Sequence, residues 1–591
     1  MKVPELSKWK RDSDLIGLLF FAQLIDELLF DYTIDTYKVP ALNSNSICYE
    51  LLHAIYEVES GYLEQGAIAP ILEELQYSLQ KDPVIKEILG RHYEEYIISL
   101  NTRDPFPATK TKIEYLKNRI EKEYFQTCKT LLKKTISGQK EKEKINRLTR
   151  VFVTELINMG YSPRYIYFEN LRFFFKGPFP EKIDSLKAID KYFECFNGKE
   201  KEWNIIFWGN RNFGFISKFI EKIDVEICKT VPSLAFRDKV DEFLKEDPPF
   251  LICLIVRNVK ALDAIRAREI AENKLLIVDS LVKYHVHRHD LGWKDEVLCY
   301  TTDERYYTVC KRPIPPAMKR PDRPTEKLSK LVDETFSAIA TEMLAEDSLK
   351  RLLRALRLHN IALKAGSPEN QILDFWSAIE ILLPPSKEGK SRIEQIADSM
   401  TPFIAGGYAA KLAADLYKSV KVTGEETMKK LKKIRIGDNE VDKCMALFSI
   451  KKNEKLREEL YKLFEWHPLL KNRIYFLVSK FNSTKTIANT LNAHRQRVSW
   501  QIMRIYRTRN LIIHSGKTLP YLDILVENLH SYLDRVFDLI CIKATRSSHP
   551  LSIDEIVLEI KLEQKSHIKM LERMGDLECT EENYKRLLFG N

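Results

Sequence analysis

"STKTIANTLNAHRQRVSWQIMRIYRTRNLIIHSG" occupies Ser483–Gly516. Its apolar residues recur at spacings of three and four, which predicts one long amphipathic helix. The last ten residues, "RTRNLIIHSG" (Arg507–Gly516), set two arginines, an asparagine and a histidine among aliphatic residues. A helix that only fills a core does not need those groups. They are either a site or the wet side of a helix. On an ideal helix Asn510 and His514 are one turn apart and share a face, and Arg507 lies two turns before His514 on that face. Arg509 points about 140° from His514, so it needs a long reach, a helix distortion or a second subunit. Arg497, Arg504 and Arg507 fall within an arc of about 80°. Such a row of cations can track an RNA backbone, and Lys517, just past the motif, is grouped with them as RNA-binding.

The chemistry that fits these residue types is phosphodiester cleavage. A histidine titrates near neutrality, so His514 can move a proton to or from a ribose 2′-hydroxyl or a leaving 5′-oxygen. Arg509 stays charged and can stabilise the extra negative charge on a phosphorane. Asn510 can hydrogen-bond the phosphate or orient the imidazole. Such a reaction needs no metal and no cofactor. The bland alternative is a histidine closing a helix with solvated arginines around it. Spacing does not separate the two, because Arg354 and His359 match the Arg-to-His pattern as well. The asparagine does discriminate: Ala355 follows Arg354, whereas Asn510 follows Arg509.

Upstream, "LDFWSAIEILLPP" (Leu373–Pro385) reads as a helix stopped by Pro384-Pro385. Ile372, Trp376, Ile379 and Leu383 form its apolar face, with Glu380 at the edge. A half-buried carboxylate wants a cation or a donor. Glu380 therefore orients Arg509 or His514, or makes a structural ion pair with any nearby arginine.

The remaining chain divides by character. Residues 1 to about 165 read as helices, among them "DLIGLLFFAQLIDELLF", "SICYELLHAIYEV" and "IAPILEELQYSLQ". Lys110–Arg150 is lysine-rich and reads as a solvated helix pair with a Ser-Gly break, or as a surface touching a nucleic-acid backbone. From 166 to 312 the pattern becomes mixed α/β. "EWNIIFWG", "PFLICLIVRN", "KLLIVDS" and "RYYTVCKR" read as strands, and "KALDAIRAREIAEN" as a helix. Residues 313–327 fall in the proline-rich "KRPIPPAMKRPDRPTEK", a linker or draped connector. Residues 328–591 are helical again, beginning with the amphipathic "EKLSKLVDETFSAIATEMLAED" and then "SLKRLLRALRLHNIALKAG", with Gly366 as a C-cap. The fold class is thus mainly α and multidomain, with helical ends and a mixed α/β middle.

"YHVHRHD" places His285, His287 and His289 at alternate positions. In a strand they share one face and are candidate ligands for zinc or another transition metal; the alternative is an exposed polar strand or loop. No GxxxxGK[ST] loop is present, which argues against an intrinsic NTPase, and no GxSxG elbow appears. The 591 residues exceed one hydrophobic core. A net charge of +10 is mild for that length, so the placement of positive charge matters more than its sum. Ten scattered cysteines without a CxxC suit a reducing cytoplasm. No apolar signal core or membrane span is evident, so the expected location is cytoplasmic.

"RNLIIHSG" resembles the Arg-Asn-x-x-x-His signature of HEPN domains. The order "LDFWSAIEILLPP", a variable middle, "RIYRTRNLIIHSG" and a closing helix is similar to the Apea-like HEPN group of bacterial anti-phage proteins. The resemblance covers about residues 330–545; residues 1–320 match no known pattern. It implies a C-terminal all-α bundle and a metal-independent endoribonuclease that leaves 2′,3′-cyclic phosphate and 5′-hydroxyl ends. It also implies a homodimer whose facing motif helices build a composite cleft. The family's arginine, polar residue and histidine fall on Arg509, Asn510 and His514, and some members carry an acid at a position like Glu380. The implied role is an abortive-infection or toxin effector, with the N-terminal half as sensor or regulator and a phage-derived trigger or regulatory partner. The alternative is a HEPN module that binds nucleic acid or protein without cleaving.

Overall fold

Local signals set most element boundaries in the computed structural model, which describes residues 5–101, 104–138, 141–228, 231–244, 251–288, 290–319, 332, 343–383, 391–517 and 519–590. The chain is mainly helical (69%), with one five-stranded antiparallel sheet in its middle region. It forms two compact units: residues 1–154, 181–186 and 315–591 in the first, 155–180 and 187–314 in the second.

The first unit opens with α1 (Ile16–Leu29), α2 (Ser44–Glu59) and α3 (Ile68–Leu79). Asn43 caps α2 by accepting a hydrogen bond from the Ser46 N–H at 2.9 Å. The lysine-rich stretch forms three helices rather than a pair: α4 (Phe106–Ile120), α5 (Tyr124–Gly138) and α6 (Lys142–Asn158), with Ser137-Gly138 closing α5.

The second unit is built on β1 (Lys201–Asn210), β2 (Val225–Cys228), β3 (Leu251–Ala261), and later β4 (Glu296–Thr301) and β5 (Tyr307–Lys311), in the spatial order β2-β3-β1-β4-β5. Every pairing is antiparallel. Strand alternation sends Ile205 and Phe207 to one face, and Ile206 and Trp208 to the other. The first face is covered by α7 (Ala264–His285).

"KLLIVDS" lies inside α7, so the expected strand there is a helix. Ala264, Ala267, Ala271, Leu275 and Val278 are buried at spacings of three and four, and this register runs straight through the β-branched run. Asp263 fixes the start by accepting from the Arg266 N–H at 2.9 Å. A tertiary stripe has overridden a weak strand propensity.

The chain re-enters the first unit at Pro315, and Ala317 N–H donates to Gln371 Oε1 at 3.3 Å. Residues 320–327 of the proline-rich connector and most of the amphipathic run 326–347 lie outside the described residues. There follow α8 (Glu346–Lys364), α9 (Pro368–Leu382), α10 (Arg392–Ala405), α11 (Pro468–Phe481), α12 (Thr484–Ser515) and α13 (Leu522–Arg546). Helix α8 leaves through Ala365 in an extended conformation, so Gly366 is not a left-handed cap. Helix α9 ends at Leu382, one residue before a bend, and Pro384-Pro385 lie outside the described residues.

The sequence pattern separates residues 1–165 from 328–591, yet residues 1–154 belong to one unit with the C-terminal helices. Ion pairs tie them, those of Arg473 buried and the others partly exposed. Arg473 of α11 bonds Glu27 of α1 and, at 3.2 Å, Asp415. Lys411 meets Asp35 at 2.7 Å, and Lys38 bonds Glu527. Local periodicity carries no information about partners several hundred residues away.

Candidate active site

Helix α12 is unbroken over 32 residues, about 48 Å. Ser483 caps its start in a reciprocal capping box with Thr486. Gly516 ends it at φ 62°, a left-handed conformation that disfavours residues with a Cβ, and its N–H donates to Ile512 O. On the core side Trp376 of α9 is fully buried, its ring 5.5 Å from that of Tyr506. This contact holds α9 against the motif helix.

The arginines of α12 meet opposite fates. Arg504 is 3% exposed and Arg507 is 9% exposed. Arg504 Nη2 lies 3.1 Å from Glu50 Oε2 on α2 and 2.5 Å from Glu74 Oε2 on α3. Arg507 Nη2 donates to Glu50 Oε1 at 2.8 Å. Burial pushes the Glu50 carboxyl up, but the two guanidiniums outweigh burial and hold it down at about 2. For Glu74, burial prevails over Arg504 and the neighbouring Glu50 adds repulsion, so its carboxyl sits above the usual range. Arg504 and Arg507 are therefore structural cations and do not present an RNA-binding arc. Arg497 is exposed, its Nε donating to Ala493 O at 3.2 Å, and Lys517 is exposed just past the helix. Only these two of the four expected RNA-binding cations face solvent.

The last two turns differ. Arg509, 25% exposed, donates from Nη1 to Asn510 Oδ1 at 3.0 Å, and its Nη2 lies 4.0 Å from Glu380 Oε2. The other oxygen of Glu380 is 3.1 Å from Nη2 of Arg392, in the first turn of α10. Glu380 thus sits between two arginines, and of the two expected roles it faces Arg509 rather than His514. His514 is exposed in the last turn, its ring centroid 6.5 Å from that of Tyr62 in the loop after α2. The structure brings Arg509, Asn510 and Glu380 together, and His514 lies one turn beyond Asn510 but about 140° round the same helix from Arg509.

That separation follows from backbone geometry. With α12 regular to Ser515, the angle of about 140° between Arg509 and His514 stands. The reach of Arg509 is taken up by Asn510 and Glu380. Among the described residues, then, one chain turns its cation and its imidazole to different sides of α12, with Asn510 between them. Arg392 and Tyr62 were not singled out from sequence. For Arg392 a signal exists: Ser391-x-x-Glu394 is a capping box, which places Arg392 at the first helical position. For Tyr62, Glu50 and Glu74 no local signal exists.

The lysine-rich stretch contributes to a groove of about 1260 Å³ lined by Lys81, Lys86, Lys142, Lys144, Arg147 and Lys471, with Asp82, Glu87, Glu141 and Glu143 among them. Glu143 pairs with Arg147, and Glu141 with Lys144 at 3.2 Å, so much of the charge is compensated within the groove. Neither His285 nor His287 of "YHVHRHD" is on a strand. His285 ends α7, His287 Nδ1 lies 2.9 Å from Lys283 O in the following turn, and His289 lies outside the described residues. The alternation that would align three ligands is absent because the helix runs up to His285.

Among the described residues no helix is long and apolar enough to cross a membrane. No family model matches the chain, and neither a curated protein nor a solved structure matches it significantly.

Proposed function

We propose that the protein is a metal-independent endoribonuclease of the HEPN type, acting as a homodimer on RNA. The observation that carries this reading is the open end of α12. There Arg509 is hydrogen-bonded to Asn510 with the Glu380 carboxylate 4.0 Å away, and His514 stands exposed one turn beyond Asn510. Arg509 supplies a fixed positive charge for the phosphorane. His514 moves the proton between the ribose 2′-hydroxyl, or the leaving 5′-oxygen, and solvent. The attacking 2′-oxygen forms the bond to phosphorus as the bond to the 5′-oxygen breaks, leaving a 2′,3′-cyclic phosphate and a 5′-hydroxyl.

The angle between Arg509 and His514 gives the second subunit its role. A copy apposed along α12 sets its histidine against the arginine of the first chain, which supports a composite cleft. Helices α2 and α3 hold the motif helix through Glu50 and Glu74, so the N-terminal helices act as a brace. The sheet-bearing unit is then the part left to sense a trigger, in keeping with an abortive-infection or toxin effector in the cytoplasm.

The test uses purified full-length chain and end-labelled RNA in excess EDTA. Wild type cleaves to cyclic phosphate ends, while His514→Ala and Arg509→Ala each lose activity by about 10²–10⁴-fold. Mixing the two inactive variants restores about a quarter of the wild-type sites, because half the dimers are mixed and each carries one intact pair. Cleavage undiminished in His514→Ala would overturn the nuclease assignment and leave a binding module. No recovery on mixing would place both groups in one chain.

A further inference from the structure

A second histidine cluster lies away from the motif. His359 on α8 and His530 and Asp534 on α13 bring one ligand atom each to within 4.8 Å of one another. His359 Nε2 is 3.1 Å from Asp534 Oδ1, and His530 Nε2 is 3.5 Å from the same oxygen. We infer that His359, His530 and Asp534 bind a divalent transition-metal ion, with zinc the first candidate, that pins α8 to α13.

The convergence carries the inference. Two imidazole nitrogens from different helices aim at one carboxylate oxygen. Without an ion, both rings would carry the proton on Nε2 and share the two lone pairs of Asp534 Oδ1. An ion instead draws three lone pairs to one point. Metal–donor distances of about 2.0–2.2 Å set neighbouring donors roughly 3.0–3.5 Å apart, the range already seen for the two histidine–aspartate pairs. His530 and Asp534 are one helical turn apart, so both side chains leave the same face of α13.

The surroundings suit a bound ion. The ring of Phe375 on α9, fully buried, stacks on His530 at 5.0 Å and 7°, and also faces His359 at 5.4 Å. Phe537 meets His359 edge-on at 5.8 Å. These rings close one side and fix both imidazoles. His359 and Asp534 are partly exposed, which leaves a mouth for the ion and for water at the remaining positions. Two imidazoles and one carboxylate select a borderline transition ion over magnesium or calcium, which take oxygen donors. The site shares no residue with the proposed nuclease centre, so His514→Ala leaves ion binding intact whatever that variant does to RNA.

The test is ion uptake by the full chain after chelator dialysis. Calorimetric titration with Zn2+ is expected to give one equivalent per chain and a rise in Tm. Co2+ is expected to give the visible d–d bands of a low-coordinate centre. His359→Gln and Asp534→Asn should each weaken binding by more than the roughly 10–100-fold that loss of an outer partner costs. A His285→Gln/His287→Gln variant should bind as wild type does. If a ligand variant fails to fold, zinc-edge X-ray absorption on the wild type decides: two imidazoles with oxygen support the site, whereas sulfur ligation or fewer imidazoles overturn it. No uptake by the wild type, or uptake unchanged in both ligand variants, also overturns it.

Discussion

Arg504 and Arg509 stand five residues apart on one helix and carry the same group, yet the fold uses them in opposite ways. Arg504 is sealed against Glu50 and Glu74, carboxylates more than 400 positions away in the chain. Arg509 meets Glu380 at longer range and keeps a quarter of its side chain in solvent. Charge does not distinguish the two; five residues turn them about 140° apart on α12, and the surface each one meets decides its use. Where α2 and α3 pack on α12 they supply acids that neutralise its cations, and beyond their reach the helix end stays available for a ligand.

This contrast predicts a division of labour between the two arginines. Arg504→Ala leaves Glu74 and Glu50 buried beside one another with a cation removed, and should cost about 3–5 kcal/mol of stability, read as a lowered denaturation midpoint. Arg509→Ala should stay within about 1 kcal/mol of wild type in the same measurement, while losing the RNA cleavage described above. A large stability loss for Arg509→Ala would erase the distinction.

A smaller effect concerns acid. Glu50 titrates at about 2 in the fold against an ordinary 4.5. A depressed carboxyl stabilises the folded state above its unfolded value and loses that contribution as pH falls through the folded one. Urea midpoints between pH 4.5 and about 2 should therefore fall more steeply for wild type than for Glu50→Gln. An identical slope would mean that Arg504 and Arg507 do not hold the charge of Glu50. The smallest effect belongs to the exposed cations. Lys517→Gln should lower the salt dependence of RNA affinity by about one counterion, with cleavage chemistry unchanged. Arg504→Lys should leave that slope unaltered, because its charge does not reach the RNA.

Much of the helical layout was readable in advance, and the reasons are local. α12 and α13 follow from apolar spacing. The strands at Lys201–Asn210, Leu251–Ala261 and Tyr307–Lys311 follow from β-branched and aromatic runs. Leu275–Val278 misleads as a strand signal, because this β-branched run lies inside a helix whose buried stripe begins at Ala264. Glu380 was legible as a half-buried acid in want of a cation, but a single helix pattern could not decide that Arg392 shares it with Arg509.

By itself the sequence determined the type of nearly every long element and the candidate chemistry at Arg509, Asn510 and His514. Those depend on period, spacing and side-chain type, which neighbours along the chain display. Only the tertiary structure decided that residues 1–154 join the C-terminal helices, that Arg504 and Arg507 are buried, and that His359 meets His530 and Asp534. These are encounters between distant segments. Each is set by which surfaces bury together and which charges must then be neutralised, and no window of adjacent residues records that.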